Sequence, residues 1–198
     1  MRGADVFVLQ SHSNPVNQAI MEQLIMIDAL KRASARSITA VCPLLGYSRQ
    51  DKKHRGRAPI SCRLGFDLLK TAGADRIMSV DLHAAQSQGF FDGPVDHLIA
   101  MPVLFDYIRD RFSNQLDNVA VVSPDAGRIR VAEQWAQRLG GGPLAFVHKT
   151  RDITRPNQAV ANRVVGDVAG KDCVLVDDLI DTAGTIAGAC NVLKDAGA

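Results

Sequence analysis

The chain has 198 residues, of which 46% are hydrophobic and 22% charged, and its formal net charge is +2 at pH 7. This is an ordinary globular composition, long enough for one domain or two small ones. A charge so near zero and an aromatic content of 5% argue against nucleic-acid and membrane partners. The four cysteines, Cys42, Cys62, Cys173 and Cys190, form no C-x-x-C pair. They are expected to be buried, reduced thiols. With no leader-like opening and no apolar run of membrane length, a cytoplasmic location is expected.

In chain order, residues 6–10 read as a buried strand. Asn14 can cap a helix with Pro15 at its first position, and Ile20, Leu24, Ile27 and Leu30 then keep helical spacing. Residues 37–42 form the next strand, followed by a basic stretch over 46–57. A helix over 61–71 carries Leu64, Leu68 and Leu69 and stops near Gly73. Residues 77–80 are a strand, and 81–93 a loop without clear period. Pro102 can open a helix bearing Val103, Leu104, Tyr107 and Ile108. Strand 119–122, helix 131–139, strand 144–147, a long polar loop over 148–162, strand 173–176 and helix 186–196 complete the pattern.

Strands alternating with helices predict α/β architecture with mainly parallel sheets. The halves also look alike. Residues 6–33 parallel 119–139, 37–57 parallel 144–155, and 77–89 parallel 173–185. Two related domains are therefore expected, at 1–102 and 103–198. The first apolar run, Val6, Phe7, Val8 and Leu9, opens almost at once, and the chain closes on a helix end with its stop glycine, Gly197. Both features predict a piece cut from a longer chain.

The richest stretch is Val174, Leu175, Val176, Asp177, Asp178, Leu179, Ile180, Asp181, Thr182, Ala183, Gly184 and Thr185. A buried strand runs into acids and then into a small-residue turn that opens a helix. Ligands of open α/β sheets bind at the carboxyl ends of strands. Backbone N–H groups and threonine hydroxyls over 181–185, with the helix N-terminus behind them, describe a phosphate cradle. Asp177 and Asp178 beside it can accept from sugar hydroxyls or attend a magnesium ion. Phosphate with a neighbouring diol means a pentose phosphate. The plain alternative is that Asp181 and Thr182 cap the helix.

Four further segments carry charge or metal-type chemistry. Residues 46–57 hold Arg49, Gln50, Lys52, Lys53, His54, Arg55 and Arg57, which on charge alone could be a solvated face. Asp81, Leu82, His83 and Ala84 follow a strand, where a histidine is often structural. Ser123, Pro124, Asp125, Ala126 and Gly127 follow another, and Gly127 permits close backbone approach to a phosphate. His148, Lys149, Thr150 and Arg151 open the long polar loop, whose exposed form would be the plain reading.

Residues 177–185 look like the ribose-5-phosphate motif shared by phosphoribosyltransferases and ribose-phosphate pyrophosphokinases. The Y-x-R-Q-D-K-K segment from Tyr47, the D-L-H-A element at Asp81, the Gln86-x-Gln88-Gly89-Phe90-Phe91 run, the S-P-D-x-G loop at Ser123 and the K-x-R pair at Lys149 together resemble the class I ribose-phosphate pyrophosphokinases. Arg128 stands where many relatives have a second glycine. That resemblance implies two phosphoribosyltransferase-type domains and transfer of a diphosphoryl group from ATP, with Mg²⁺, to C1 of ribose 5-phosphate. It implies that Arg49 and Gln50 contact ATP and that His83 and Asp125 attend Mg²⁺, although an imidazole suits this hard cation poorly and His83 could act through water or a phosphate oxygen. Lys149 and Arg151 become catalytic cations, Arg151 also meeting ribose 5-phosphate with Asp177, Asp178, Asp181, Thr182, Ala183, Gly184 and Thr185. Family members form dimers that assemble into hexamers, and an N-terminal loop that holds adenine across a subunit interface is not in this sequence. Two rivals remain: a phosphoribosyltransferase consuming phosphoribosyl diphosphate, which leaves Arg49, Gln50, His83 and the Lys149–Arg151 pair without purpose, and a non-catalytic regulatory relative, which would be expected to lose those groups.

Overall fold

The computed structural model describes residues 1–53, 56–113, 115–151 and 159–198. They fall into two compact units, Met1–Ala100 and Met101–Ala198.

In the first unit, β1 (Asp5–Leu9), α1 (Val16–Arg32), β2 (Ser37–Cys42), α2 (Ser61–Ala72), β3 (Arg76–Val80) and β4 (Val95–Leu98) build a sheet of order β1-β2-β3-β4. All its pairings are parallel, so each connection must cross over the sheet, as βαβ units do. The core sets Val8, Ile38, Ala40, Cys42 and Ile77 of the sheet against Ile27, Cys62, Phe66 and Leu69 of the helices. α1 starts without a side-chain cap bond, Pro15 itself taking the cap position, so Asn14 does not serve as expected. α2 buries Cys62, Phe66 and Leu69, while Leu64 and Leu68 of the expected stripe are exposed. The 62/66/69 spacing keeps one face, and Phe66 brings the largest apolar area to it. α2 ends at Gly73 with φ +123°, its N–H bonded to Leu69 O and Lys70 O. A short 3₁₀ turn, Ala85–Phe90, and β4 occupy the stretch from 81 to 98, much of which looked aperiodic in sequence. Phe90 and Phe91 anchor that turn against Phe66, with ring centroids 6.3 and 6.4 Å away.

The second unit contains α3 (Met101–Arg111), β5 (Val119–Ser123), α4 (Ile129–Arg138), β6 (Leu144–Arg151), β7 (Ala159–Val165), β8 (Asp172–Leu175) and α5 (Gly184–Asp195). The sheet order is β7-β6-β5-β8. β5 is parallel to β6 and β8, and β7 is antiparallel to β6. Trp135 with Ala132 and Ala136 of α4 forms one hydrophobic cluster with Val119 and Val121, and Ala189 and Leu193 of α5 form another with Val122, Ala145 and Val147. α3 packs through Met101, Phe105 and Ile108. Val103, Leu104 and Tyr107, expected on its apolar side, are exposed. The parallel drawn between the halves is out of step with sheet order. Of the strands so matched, the middle one in the first sheet is β2, whereas the middle one in the second is β5, the counterpart of β1.

Candidate functional site

The second unit gathers the acidic groups by strand pairing. β5 and β8 run in register from Val119↔Asp172 to Val122↔Leu175. The Val176 N–H donates to Val122 O at 3.0 Å, so both strands leave the sheet side by side. Buried Ser123 donates its hydroxyl to Asp125 O at 2.6 Å, and Asp125 Oδ1 accepts from Gly127 N–H at 2.8 Å, which fixes the turn after β5. Arg128 Nη2 lies 2.7 Å from Asp178 Oδ2, with the two side chains 18% and 15% exposed. Arg128 thus ties the loop after β5 to the loop after β8.

Asp177 Oδ1 accepts from the Asp178 N–H at 2.9 Å. Burial, then a side-chain hydrogen bond with Asp178, then the negative charges of Asp178 and Asp125 push the Asp177 carboxyl up to about 6, against the lowering effect of the Asp178 N–H. Desolvation and like charge act in the same sense on a carboxylate. Asp181, Thr182, Ala183, Gly184 and Thr185 are all exposed. Ala183 sits at the cap of α5 in the left-handed region, φ +59°, and no side-chain cap bond is made. The first N–H groups of α5 are the ones a helix cannot satisfy internally, which suits an anion.

Lys149 and Arg151 occupy β6 rather than a loop, in register with Asn162 and Ala159 of β7, and a bulge separates Lys149 from Thr150. The polar run was expected to leave the sheet after Val147. Instead its backbone is paired in an antiparallel ladder, which needs no apolar side chains. The side chains of 149–162 are outside the described residues, as are Asp152, Thr154 and Arg155 altogether.

The carboxyl end of the first sheet is organised differently. Arg49 is exposed. Gln50 directs its side-chain amide to Lys52 O at 2.9 Å and Pro59 O at 3.0 Å, while its backbone carbonyl accepts from the Cys62 N–H at 3.1 Å at the start of α2. Gln50 is thus a staple of the basic loop, with Oε1 as its remaining polar atom. His54 and Arg55 lie outside the described residues. His83 is half-buried. Its loop is held by Leu82 N–H donating to His97 Nε2 at 2.9 Å, by Asp81 N–H donating to Leu98 O at 2.9 Å, and by Ala100 N–H donating to Asp81 Oδ1 at 3.3 Å.

Sequence reasoning passed over His97 and also the buried pair His12 and Gln23. His12 is 2% and Gln23 0% exposed. Burial holds His12 below the ordinary imidazole range, against the raising effect of its Gln23 hydrogen bond. Gln23 stands four residues from both Ala19 and Ile27 on the inward stripe of α1, and that spacing was the available signal. Cys42 and Cys62 are buried as expected, but Cys173 and Cys190 are only partly so. Burial pushes the Cys42 thiol up to about 12.

Among the described residues no three His, Cys, Asp or Glu side chains are grouped to hold a metal ion. An ion carried by a nucleotide's phosphates needs only one or two protein oxygens, and the turn-fixed carboxylate of Asp125 fits that need. Among the described residues no helix is long and apolar enough to cross a membrane.

A parallel strand running into paired aspartates and a small-residue turn before a helix is the phosphoribosyltransferase type of site. The family described as phosphoribosyl transferase domain matches residues 97–198, and the N-terminal domain of ribose phosphate pyrophosphokinase matches residues 1–73. The chain belongs to the ribose-phosphate pyrophosphokinase family. It is 93% identical to a ribose-phosphate pyrophosphokinase of Bifidobacterium longum over all 198 residues, covering 58% of that protein. It is 68% identical to that of Corynebacterium efficiens, covering 60%. A crystal structure of phosphoribosylpyrophosphate synthetase from Mycobacterium smegmatis superposes with a TM-score of 0.92 at 64% identity, over all of this chain and 62% of that one. The chain thus spans about three fifths of the length of these relatives.

Proposed function

We propose that the chain carries the machinery for moving the diphosphoryl group of MgATP to C1 of ribose 5-phosphate, giving 5-phospho-ribose 1-diphosphate and AMP for nucleotide biosynthesis. The observation that carries this reading is the convergence after β5 and β8, where Asp125, Asp177 and Asp178 meet beside the exposed small-residue turn over 181–185. Residues 103–198 supply the ribose 5-phosphate groups, and residues 1–102 supply nucleotide groups.

The anomeric hydroxyl attacks the β-phosphorus and AMP leaves. Phosphoryl transfer depends mainly on positioning and on charge stabilisation. N–H groups and threonine hydroxyls of Asp181, Thr182, Ala183, Gly184 and Thr185 hold the 5-phosphate. Asp177 and Asp178 accept from the ribose hydroxyls, and Asp178 must share its charge with Arg128. Lys149 and Arg151 offset charge on the transferring group, and Arg151 also meets ribose 5-phosphate. Arg49 binds ATP phosphate or stacks on its base, and Gln50 offers its carbonyl oxygen. Mg²⁺, when bound with the nucleotide, neutralises phosphate charge. Asp125 would hold it, with His83 a weaker nitrogen donor or a contact through water.

Self-association and a cytoplasmic location accompany this reading, as for the family. Its test is to incubate the chain with MgATP and ribose 5-phosphate, assay AMP and phosphoribosyl diphosphate, and titrate ribose 5-phosphate by calorimetry. Equal amounts of both products, with measurable sugar phosphate binding, support it. AMP without phosphoribosyl diphosphate, or no ribose 5-phosphate binding, counts against it.

A further inference from the structure

His12 lies just beyond the carboxyl end of β1, and none of the groups assigned above explains it. Its surroundings leave one protonation pattern. Gln23 Nε2 faces two carbonyl oxygens, Val8 O at 2.9 Å and Val41 O at 3.4 Å, so this end of the amide is the donor. Gln23 Oε1 must then accept, and it does so from His12 Nε2 at 2.8 Å and from Cys42 Sγ at 3.3 Å. With its proton on Nε2, the neutral ring presents a bare Nδ1. That atom accepts from the Gly46 N–H at 3.1 Å.

Gly46 is built for this approach. A Cβ there would stand 3.1 Å from His12 Cβ, 3.0 Å from Val16 Cγ1 and 3.1 Å from Ile20 Cδ1. The contact is also the first fixed point of the basic loop. Tyr47 follows in the left-handed region, φ +60°, with its hydroxyl bonded to Asn17 Oδ1. Gln50 N–H then closes a turn on Tyr47 O at 2.9 Å. Arg49 lies inside that turn.

We propose that His12 is a positioning residue for the nucleotide loop, its Nδ1 fixing Gly46 and thereby setting the course of Arg49 and Gln50. This rests on the reading of Arg49 and Gln50 as nucleotide contacts. His12 itself touches no substrate in this assignment.

Two near-isosteric variants separate the two hydrogen bonds of the ring. In His12→Asn, the side-chain oxygen falls near the place of Nδ1 and can still accept from Gly46, while the link to Gln23 is lost. In His12→Gln, the longer amide can still donate to Gln23, while the acceptor for Gly46 is lost. The experiment measures three quantities on wild type and both variants: amide exchange at Gly46, affinity for a non-hydrolysable ATP analogue with Mg²⁺, and affinity for ribose 5-phosphate. For His12→Asn the expected result is slow Gly46 exchange, with nucleotide affinity retained within about three-fold. For His12→Gln it is exchange at least ten-fold faster and nucleotide affinity at least ten-fold weaker. Ribose 5-phosphate affinity stays within two-fold throughout. The proposal is overturned if the two variants behave alike, or if both ligands weaken together as a general loss of structure would produce. If the wild type bound no nucleotide, the functional reading would fall, whereas Gly46 exchange would still decide whether His12 holds the loop.

Discussion

At the carboxyl end of the first sheet, uncharged groups pin the loops alongside the Asp81 carboxylate, which accepts from Ala100. His12 accepts from Gly46, His97 accepts from Leu82, and the Gln50 amide reaches Lys52 and Pro59. At the carboxyl end of β5 and β8 the task falls to ionisable ones, Asp125, Arg128, Asp177 and Asp178. Neutral hydrogen bonds hold a loop in one place at modest cost and with little response to salt. A crowded set of carboxylates carries electrostatic strain that a cation or a hydroxyl donor can relieve on binding. The first arrangement suits a preformed loop, the second a site whose groups change partners when ligands arrive.

The largest expected effect lies among the cations of the second unit. Lys149→Ala, made in the full-length context of the relatives, should lower kcat by about 100-fold or more, equivalent to roughly 3 kcal/mol of transition-state stabilisation. KM for either substrate should move only a few-fold. Steady-state kinetics check this, and a raised KM with kcat near wild type would make Lys149 a binding residue instead. Arg151→Ala should lose similar rate together with some ribose 5-phosphate affinity.

Next in size is the cradle. Thr182→Leu or Thr185→Leu should weaken ribose 5-phosphate binding by about ten-fold, the scale of one lost hydrogen bond with a charged group. ATP binding should hardly change. Binding isotherms for both ligands decide it, since equal losses would mean that the turn does not discriminate between them.

Smaller still is a difference in pH response. Asp177 is raised from 3.8 to about 6 in the fold. A raised carboxyl favours its protonated state, so its stabilising contribution is complete below pH 3.8 and is lost as pH rises through about 6. Asp177→Asn should therefore raise the melting temperature at pH 7.5 by a few degrees, on the order of 1 kcal/mol after allowance for solvent screening, and should have no such effect near pH 3.5. His12 acts in the opposite sense. Burial lowers its pKa from 6.5, so its contribution is complete above pH 6.5 and falls away as the pH drops from there through its depressed folded value. In the Asp177→Asn chain, thermal melts should show stability falling as pH drops below about 6.5. Adding His12→Asn should flatten that decline. An unchanged slope would mean that His12 is not held neutral by the fold.

The fold class was legible because strand and helix periods alternate along most of the chain. The turn over 181–185 that opens α5 was legible because a buried strand, two acids and a run of small residues are adjacent in sequence. Faces were harder to read. In α2 a leucine pattern pointed to Leu64 and Leu68, but Phe66 decided which side turned inward. In α1 a polar Gln23 occupied a fully buried position because Val8 O, Val41 O and His12 satisfy it there. The extension of β6 to Arg151 was hidden because ladder pairing with β7 is a long-range property that local polarity does not encode. Arg128 could be noted as unusual in sequence, but its partner Asp178 is 50 residues away, and only the pairing of β5 with β8 brings them together.

The most direct test follows the phosphates. ATP labelled at its γ-phosphorus is supplied with ribose 5-phosphate and Mg²⁺, and the products are separated. Transfer of an intact diphosphoryl group predicts that the label appears in the sugar diphosphate, one for each unlabelled AMP released. Label in inorganic phosphate or in a singly phosphorylated product, with ADP in place of AMP, would contradict it.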